Sequence, residues 1–240
     1  MKVKLIGTGC IGTMQNSACS LINKKILIDI PNGACREIKR FGEDLNSIQT
    51  IIITHYHADH IFDLPFIILE KSQMTNKKMN IVGPKDIEKR TKDLFELAFP
   101  GEWKEKIEDN LEINFMEILS GEIKYIEDTT IEAVKVEHML PDSQGYIITI
   151  DNQMCAFTGD TSKCDAVEYM LKKSPIIVSD CSVEIGKQTH MGIDNIKEYS
   201  EKYPNNTIIL THMKEATRLE AEKLENNNII VPGDGYSIEF

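Results

Sequence analysis

The stretch IIITHYHADH at residues 51–60 places three histidines and an aspartate directly after a β-branched, apolar run. That run predicts a buried strand, because it is short and almost entirely apolar. His55 and His57 stand two positions apart, so in extended backbone their side chains lie on one side and can share an ion. Asp59 and His60 follow as the chain turns into a helix, where they can reach a second ion. The H-x-H-x-D-H spacing therefore predicts a metal site at the end of a strand.

Four side chains cannot complete two metal sites, so further ligands must come from other parts of the chain. The chain holds six histidines, and the remaining three stand at or near predicted strand ends or in the loops beyond them. His138 ends the segment TTIEAVKVEH, and His212 ends the segment TIILTH. His190 lies in KQTHMGID, just before a predicted helix. MCAFTGDTS delivers Asp160 in the same way. Functional residues of layered α/β folds lie at the ends of strands. We therefore expect these side chains to lie near the four residues of the H-x-H-x-D-H motif.

The order of the predicted elements indicates an α/β protein. Two sheet-rich halves, each with helices to cover one face, predict a four-layer αββα sandwich, because both sheets then bury their inner faces against each other. No linker divides the halves, so we expect one domain spanning residues 1–240. Within one helix we expect Ile87, Leu94, Phe95 and Leu97 in the core. The predicted strands are 2–6, 19–23, 25–30, 48–54, 79–84, 111–118, 121–128, 129–138, 145–151, 153–160, 175–180, 207–211, 228–231 and 236–240, and the predicted helices are 33–41, 62–72, 85–98, 164–173, 193–203 and 214–226.

The segment GTGCIG, from Gly7 to Gly12, matches the glycine fingerprint of a dinucleotide site, and Asp29 stands about twenty residues further on, as that fingerprint requires. The helix that such a site needs is not indicated. TMQNSACSLINKK contains Asn-Ser and a strand-like segment instead of a helical apolar stripe. We therefore interpret the glycines as a tight loop that needs positive φ or close backbone approach.

Charge and composition limit the partners. The net charge is −11, and the lysines of residues 71–92 are interleaved with acids, so a small anionic substrate is expected and extended nucleic-acid binding is not. No apolar run approaches the ~20 residues of a membrane span. The six cysteines form no C-x-x-C pair and MKVKLIG lacks a secretory core, which predicts reduced thiols and a cytoplasmic location. The oligomeric state, a homodimer included, is left open.

The motifs together carry a family resemblance. H-x-H-x-D-H, followed by a spaced histidine, a TGDTS aspartate and a THM histidine, resembles the metallo-β-lactamase-fold hydrolases, in order from LIDI (Asp29) to ILTH. The resemblance implies an αββα fold, a structural Asp29 and two divalent ions, with zinc first and manganese or iron as alternatives. The ligands it implies form two sets with a bridging aspartate: His55, His57 and His138 for the first ion, Asp59, His60 and His212 for the second, and Asp160 between them.

The implied chemistry is hydrolysis. Two cations about 3.5–4 Å apart lower the pKa of a shared water towards ~7, which gives a bridging hydroxide that attacks the substrate. We expect Asp59 to bind metal and also to orient or relay the proton of the nucleophile. His190 resembles the additional histidine of the tRNase Z and related phosphodiesterase branch, and Asp180 in IVSDCS resembles its partner carboxylate. Just before a helix, the His190 imidazole can donate to a phosphate oxygen or protonate a leaving alkoxide. The alternative interpretation of His190 is a surface or helix-capping histidine.

Two departures from the tRNase Z pattern bear on the substrate. Met191 and Gly192 follow His190 where that branch has small hydroxyl residues, and no long Gly- and Pro-rich arm for tRNA is visible between His60 and His138. We therefore expect a phosphodiesterase for a small substrate such as a cyclic nucleotide, a dinucleotide or a cyclic phosphate, ahead of RNA. The alternatives are a thioester or lactone hydrolase on the same metals and a sensor domain that binds metals without turnover.

Three neighbouring features have two interpretations each. Cys181 is interpreted as a buried small apolar residue rather than a ligand. The segment IFDLPFIIL (61–69) is interpreted as core packing rather than a hydrophobic mouth. The loop AFPGEW (98–103), with Trp103, is either a rim over the pocket or an ordinary surface loop.

Overall fold

The computed structural model of the protein describes residues 1–224 and 228–240. Two seven-stranded mixed sheets contain the described strands, in the orders β14-β1-β2-β3-β4-β5-β6 and β13-β12-β11-β10-β9-β8-β7. The strands are β1 (Lys2–Gly7), β2 (Cys19–Ile22), β3 (Ile26–Ile28), β4 (Thr50–Ile52), β5 (Lys78–Gly83), β6 (Glu112–Glu117), β7 (Ile123–Ile126), β8 (Thr129–Lys135), β9 (Gln144–Ile150), β10 (Gln153–Phe157), β11 (Ile176–Asp180), β12 (Thr207–Thr211), β13 (Ile229–Ile230) and β14 (Ser237–Glu239). The helices are α1 (Ala34–Arg40), α2 (Ala58–Ile61), α3 (Leu64–Ser72), α4 (Ile87–Ala98), α5 (Asp165–Lys173), α6 (Ile193–Lys202) and α7 (Glu215–Ala221).

Three buried clusters separate four layers. In β4, Ile51 packs outward beneath α1, α3 and α4, whereas Ile52 packs inward against the other sheet, as the two-residue period of a strand requires. The inner cluster joins residues of both sheets, among them Ile148 of β9. A third cluster, which includes Ile196, lies between the second sheet and α5–α7. Each fully buried isoleucine contributes about 1.5–3 kcal/mol, so these layers hold the sheets together. The predicted αββα sandwich is confirmed.

The strand directions bring five loops to one edge. β10, β11 and β12 are parallel, and β8 runs in the same direction as β10 because both pair antiparallel with β9. In the first sheet β4 is parallel to its neighbours β3 and β5. The candidate site residues of the sequence analysis follow the ends of five strands: β4, β8, β10, β11 and β12. Parallel neighbours place such loops side by side.

Two predicted helices differ from the structure. The helix expected over 62–72 is α3, which begins at Leu64, and a separate short helix, α2 (Ala58–Ile61), lies before the predicted range. α4 buries Ile87 and Phe95 and half-buries Leu94, but Leu97 is 80% exposed, so its prediction as a core residue is wrong. Leu97 follows Phe95 by two positions, so its side chain is rotated by about 200° around the helix axis and lies on the solvent face. The helix predicted over 214–226 is α7 and a 3₁₀ turn at Glu222–Leu224, and residues 225–226 lie outside the described residues.

The glycine-rich segment after β1 forms a loop without a helix. Gly12 has a φ of 81°, and Gly9 makes isolated bridges to Ser17 and Met213. A Cβ on Gly9 would lie 2.3 Å from the Thr13 hydroxyl oxygen, so only glycine fits there. The interpretation as a tight loop is confirmed. Among the described residues no helix is long and apolar enough to cross a membrane.

Candidate metal centre

The Asp160 carboxylate lies at the centre of the converging strand ends. Its Oδ2 atom is 3.8 Å from Nε2 of His55 and 3.8 Å from Nε2 of His138. The same oxygen is 3.4 Å from Nε2 of His60 and 3.3 Å from Nε2 of His212. One buried oxygen is thus surrounded by four imidazole nitrogens from three different parts of the chain.

The ligand atoms fall into two groups that share Asp160. The first group is His55, His57 and His138, with Nε2 of His55 and of His138 at 3.0 and 3.2 Å from Nδ1 of His57. The second group is Asp59, His60 and His212, with Asp59 Oδ2 at 3.4 Å from His212 Nε2 and 4.0 Å from His60 Nε2. The structure therefore brings together all seven of the predicted ligands, in the two sets that the resemblance implied.

Asp29 fixes the orientation of two of these rings from behind. Its carboxylate accepts hydrogen bonds from the Thr54 amide, the Thr54 hydroxyl and His60 Nδ1, all at 2.8 Å. The Thr54 oxygen in turn lies 3.0 Å from His55 Nδ1 and accepts its proton. Both histidines therefore carry hydrogen on Nδ1 and present the lone pair of Nε2 to the centre. These contacts place Asp29 behind the rings, in the supporting position that the resemblance implied.

A backbone carbonyl does the same for a third ring. His138 Nδ1 lies 2.8 Å from the Thr189 carbonyl oxygen, which can only accept. The lone pair of His138 Nε2 therefore also faces Asp160. The sequence gives no sign of this contact, because any residue at position 189 supplies a carbonyl.

These side chains fit a divalent metal pair. His60 Nε2 is buried and has no hydrogen-bond partner within the described residues, although it faces Asp59 and Asp160. Burial lowers the pKa of this imidazole, but the carboxylates of Asp160 and Asp29 outweigh it and the net shift is upward, so a cation bound at Nε2 would displace a proton. Burial lowers the pKa of His55 and of His57, which keeps both imidazoles neutral and able to coordinate. Burial raises the pKa of Asp59, but the hydrogen bond with His212 and the charges of His60 and His212 together outweigh it, and the net pKa falls to about 2. Neutral imidazoles and ionised carboxylates are the donors that zinc, manganese and iron prefer.

A second cluster of polar groups adjoins the second metal group. Asp180, at the end of β11, is fully buried, and its Oδ2 accepts from His190 Nδ1 at 2.9 Å and from the Thr161 amide at 3.1 Å. The His190 ring stacks on His212 with centroids 5.2 Å apart and stays 22% exposed. Burial lowers the pKa of His190, but the hydrogen bond and charge of Asp180 outweigh it and the net shift is upward. The raised pKa favours the charged form of His190, whose ring stays partly open to solvent.

Three residues of the site have an unusual backbone. Asp29 and His212 have φ of 59° and 57°, in a region that side chains other than glycine seldom adopt. Gly159, directly before Asp160, has φ of 60°, and its Cα approaches Thr54 so closely that a Cβ would lie 3.0 Å from the threonine Cβ. Strained conformations of this kind persist where surrounding contacts over-determine them.

The remaining candidates are not among the clustered ligand atoms of the described residues. Cys181 is fully buried in the outer apolar cluster of the second sheet, and burial raises the pKa of its thiol. Trp103 packs edge-on against Phe95 at 5.2 Å, on the outer face of the first sheet. In the segment 61–69, Ile67 and its apolar neighbours are buried, while Phe66 is about half exposed. Core packing thus accounts for most of this segment.

Known proteins share this arrangement in sequence and fold. A family model described as "Anti-Pycsar protein Apyc1" matches residues 1–236. A Ribonuclease Z of Staphylococcus epidermidis is 32% identical over 124 residues, which cover 51% of this chain and only 38% of the relative.

Two solved structures resemble the chain over its whole length. The metallo-β-lactamase-fold protein YhfI from Bacillus subtilis has a TM-score of 0.78 at 18% identity, covering 100% of this chain and 99% of that one. The short form of human tRNase Z has a TM-score of 0.78 at 16% identity, again over 100% and 99% of the two chains. The metallo-β-lactamase fold expected from the histidine motif is confirmed.

Proposed function

Because the chain belongs to the family of the anti-Pycsar protein Apyc1, we propose that it is a metal-dependent hydrolase that cleaves phosphodiester bonds in small nucleotide-like substrates. The observation that carries the proposal is the position of Asp160, one carboxylate oxygen within 3.8 Å of imidazole nitrogens from both ligand groups. A shared carboxylate is the arrangement that a pair of neighbouring ions requires. We take residues 1–240 as one catalytic domain.

The proposed ions are two zinc ions, with manganese or iron as alternatives. When bound, such a pair lowers the pKa of a water molecule and neutralises charge on the scissile phosphate and the leaving oxygen. The residues that would hold the pair are the two sets described above and the shared aspartate: His55, His57 and His138, then Asp59, His60 and His212, with Asp160 between them.

Three side chains have proposed roles beyond holding metal. Asp59 is 16% exposed at its side chain and carries an ionised carboxylate at neutral pH, so it orients the attacking water and accepts its proton. His190 donates a proton to the leaving oxygen, since its ring is charged, partly exposed and adjacent to His212. Asp180 fixes the donor orientation of His190 through the hydrogen bond to Nδ1. General acid and base catalysis of this kind contributes about 10²–10⁴-fold each.

The substrate is proposed to be small. The chain between α2 and β8 is occupied by α3, β5, α4, a π-helical turn at Trp103–Ile107, β6 and β7, which belong to the sheets and their covering helices. The net charge of −11 disfavours a long polyanion, which normally binds to a basic face. A cyclic mononucleotide presents one phosphodiester within a compact ligand and meets both constraints. RNA, the substrate class in the name of the curated relatives, is the competing candidate.

A substrate panel tests the proposal. Zinc-loaded protein, purified without chelator, is assayed with 3′,5′-cyclic mononucleotides, bis(p-nitrophenyl) phosphate, precursor tRNA, a thioester and a lactone. We expect turnover of the phosphodiesters, fastest for a cyclic mononucleotide, and loss of about 10²–10⁴-fold in H190Q with the metals retained. Faster turnover of tRNA would contradict the small-substrate assignment. Turnover of the thioester or lactone alone, indifferent to H190Q, or no turnover at all, would contradict phosphodiester cleavage.

A further inference from the structure

The turn that carries His212 is bonded to the loop that follows β1. His212 adopts a φ of 57°, a strained conformation for a residue other than glycine, which persists only where neighbouring contacts hold it. The next residue, Met213, donates its amide hydrogen to the Thr8 carbonyl oxygen at 3.1 Å and bridges with Gly9. The position of Thr8 therefore decides where the His212 turn lies between β12 and α7.

Thr8 is itself held by two charged groups, the buried Arg218 and the partly buried Asp234. It is fully buried, and its hydroxyl accepts from Arg218 Nη2 at 2.7 Å while it donates to Asp234 Oδ1 at 2.8 Å. The Thr8 amide donates to the same Asp234 oxygen at 2.9 Å. Arg218 also donates through Nη1 to the Pro232 carbonyl at 2.6 Å. One hydroxyl thus joins a cation from α7 to an anion from the segment before β14.

The second carboxylate oxygen of Asp234 binds the other end of the loop that begins at Thr8. Asp234 Oδ2 accepts from the Asn16 amide at 2.8 Å and from Asn16 Nδ2 at 3.2 Å. Gly9 donates its amide to the Asn16 carbonyl at 2.8 Å, so the two ends of the loop lie side by side. Charge-assisted hydrogen bonds in a buried setting are about twice as strong as neutral ones, which makes this junction rigid.

We propose that Thr8, Arg218 and Asp234 form a clamp that positions His212 for the second metal ion. None of the three ligates metal, so they are positioning residues, and the inference rests on the metal pair of the proposed function. The clamp acts on His212 through the Thr8 carbonyl and on no ligand of the first group. His55 and His57 follow β4, and His138 receives its orientation from the Thr189 carbonyl. A damaged clamp should therefore weaken one ion and spare the other.

Thr8→Val and Thr8→Ser form a matched pair. Valine keeps the shape of threonine but removes the hydroxyl that links Arg218 to Asp234, whereas serine keeps that hydroxyl. The dissociation constants of both zinc ions are measured by titration against a chromogenic chelator, without substrate. H212A, which deletes the ligand itself, identifies the binding step of the second ion. We expect T8V to weaken that step about 10–100-fold and T8S to leave it within about threefold.

Asp234→Asn provides a second test should T8V fail to fold, because it keeps the side-chain shape while removing one acceptor oxygen; the second ion should weaken in the same direction. Lys71→Met is the control for a lost buried cation. The Lys71 ammonium is buried and donates only to the Asn46 and Ile48 carbonyls, and its removal should lower stability without separating the two constants. Equal weakening of both ions in T8V and D234N, or no weakening in either, would overturn the clamp. Wild-type protein that binds no second ion would overturn the proposed metal pair instead.

Discussion

Asp180 and His190 form a partly buried hydrogen bond of 2.9 Å between Oδ2 and Nδ1 at the rim of the metal centre. The other oxygen of Asp180 lies 3.8 Å from His212 Nδ1, and neither of these two atoms has a hydrogen-bond partner in the described part of the chain. One carboxylate thus adjoins both a proposed proton donor and a proposed ligand. This proximity couples the orientation of His190 to the second metal group.

Replacing Asp180 with asparagine should reduce turnover by about 10–100-fold through misorientation of His190, less than the loss in H190Q. Asparagine keeps the volume of aspartate, so folding should persist. Steady-state kinetics on a phosphodiester, with zinc content measured in parallel, provide the check. D151N, an exposed change at the far end of β10, is the matched control. Full activity in D180N would remove His190 orientation from the mechanism.

Asp29→Ala should weaken zinc binding about 10–100-fold, because the change removes the acceptor that orients both His60 and, through Thr54, His55. Both ions should be affected, since His55 and His60 belong to different groups. Competition with a chelator measures the two constants. A loss confined to one ion would show that Asp29 supports only one of the rings.

Removing metal should lower the melting temperature. A ligand at 100 times its dissociation constant stabilises the native state by about 2.7 kcal/mol, which corresponds to about 5–10 °C for a chain of this size. Thermal unfolding of zinc-loaded and EDTA-treated samples measures the difference, and re-addition of zinc should restore it. An unchanged melting temperature would mean that the clustered imidazoles are stable without cations.

Tyr146→Phe should destabilise the fold by about 1–3 kcal/mol. The Tyr146 hydroxyl is fully buried, donates to the Ile53 carbonyl at 2.7 Å and accepts from Gln144 Nε2 at 2.8 Å, and its loss leaves both polar groups short of a partner. Urea unfolding measures the change in the free energy of unfolding. Tyr125→Phe is the matched control, because Tyr125 is 73% exposed and should change stability by less than about 0.5 kcal/mol.

The native protein should expose about one reactive thiol. Cys164 is partly exposed, whereas the other five cysteines are buried. Burial raises the pKa of Cys10 to about 11 and that of Cys181 further, and reaction requires the thiolate. Titration with DTNB at pH 8 should modify about one thiol before unfolding and six after it, and C164S should remove the fast reaction. Fewer than six thiols in denaturant would indicate a disulfide.

The fold could be predicted from the sequence because it is encoded in short periodic segments, whereas the ligand set, which the family resemblance implies, stays a prediction. β12 is largely apolar, and His212 follows its last residue directly. Asp160 comes shortly after the end of β10, so both residues are marked by their position beyond a strand. The prediction of Leu97 as a core residue was wrong because helical spacing does not say which of two adjoining faces of a helix is covered.

Asp29 and Asp180 were expected as supports of the site, but the supports supplied by the backbone and by the Thr8 loop could not be predicted in the same way. The hydrogen-bond partners of His138 and of Met213 are backbone carbonyls, which every sequence contains. Arg218 and Thr8 are 210 positions apart, and only the pairing of β1 with β14 brings the segment of Asp234 beside them. Such contacts depend on the assembled sheets rather than on any local pattern.

Crystals of the zinc-loaded protein offer the most direct measurement, with anomalous scattering recorded at the zinc edge. We expect two peaks about 3.5–4 Å apart, one beside His55, His57 and His138 and one beside Asp59, His60 and His212, with Asp160 in contact with both. A single peak, or two peaks of which Asp160 contacts only one, would contradict a shared metal pair at these strand ends.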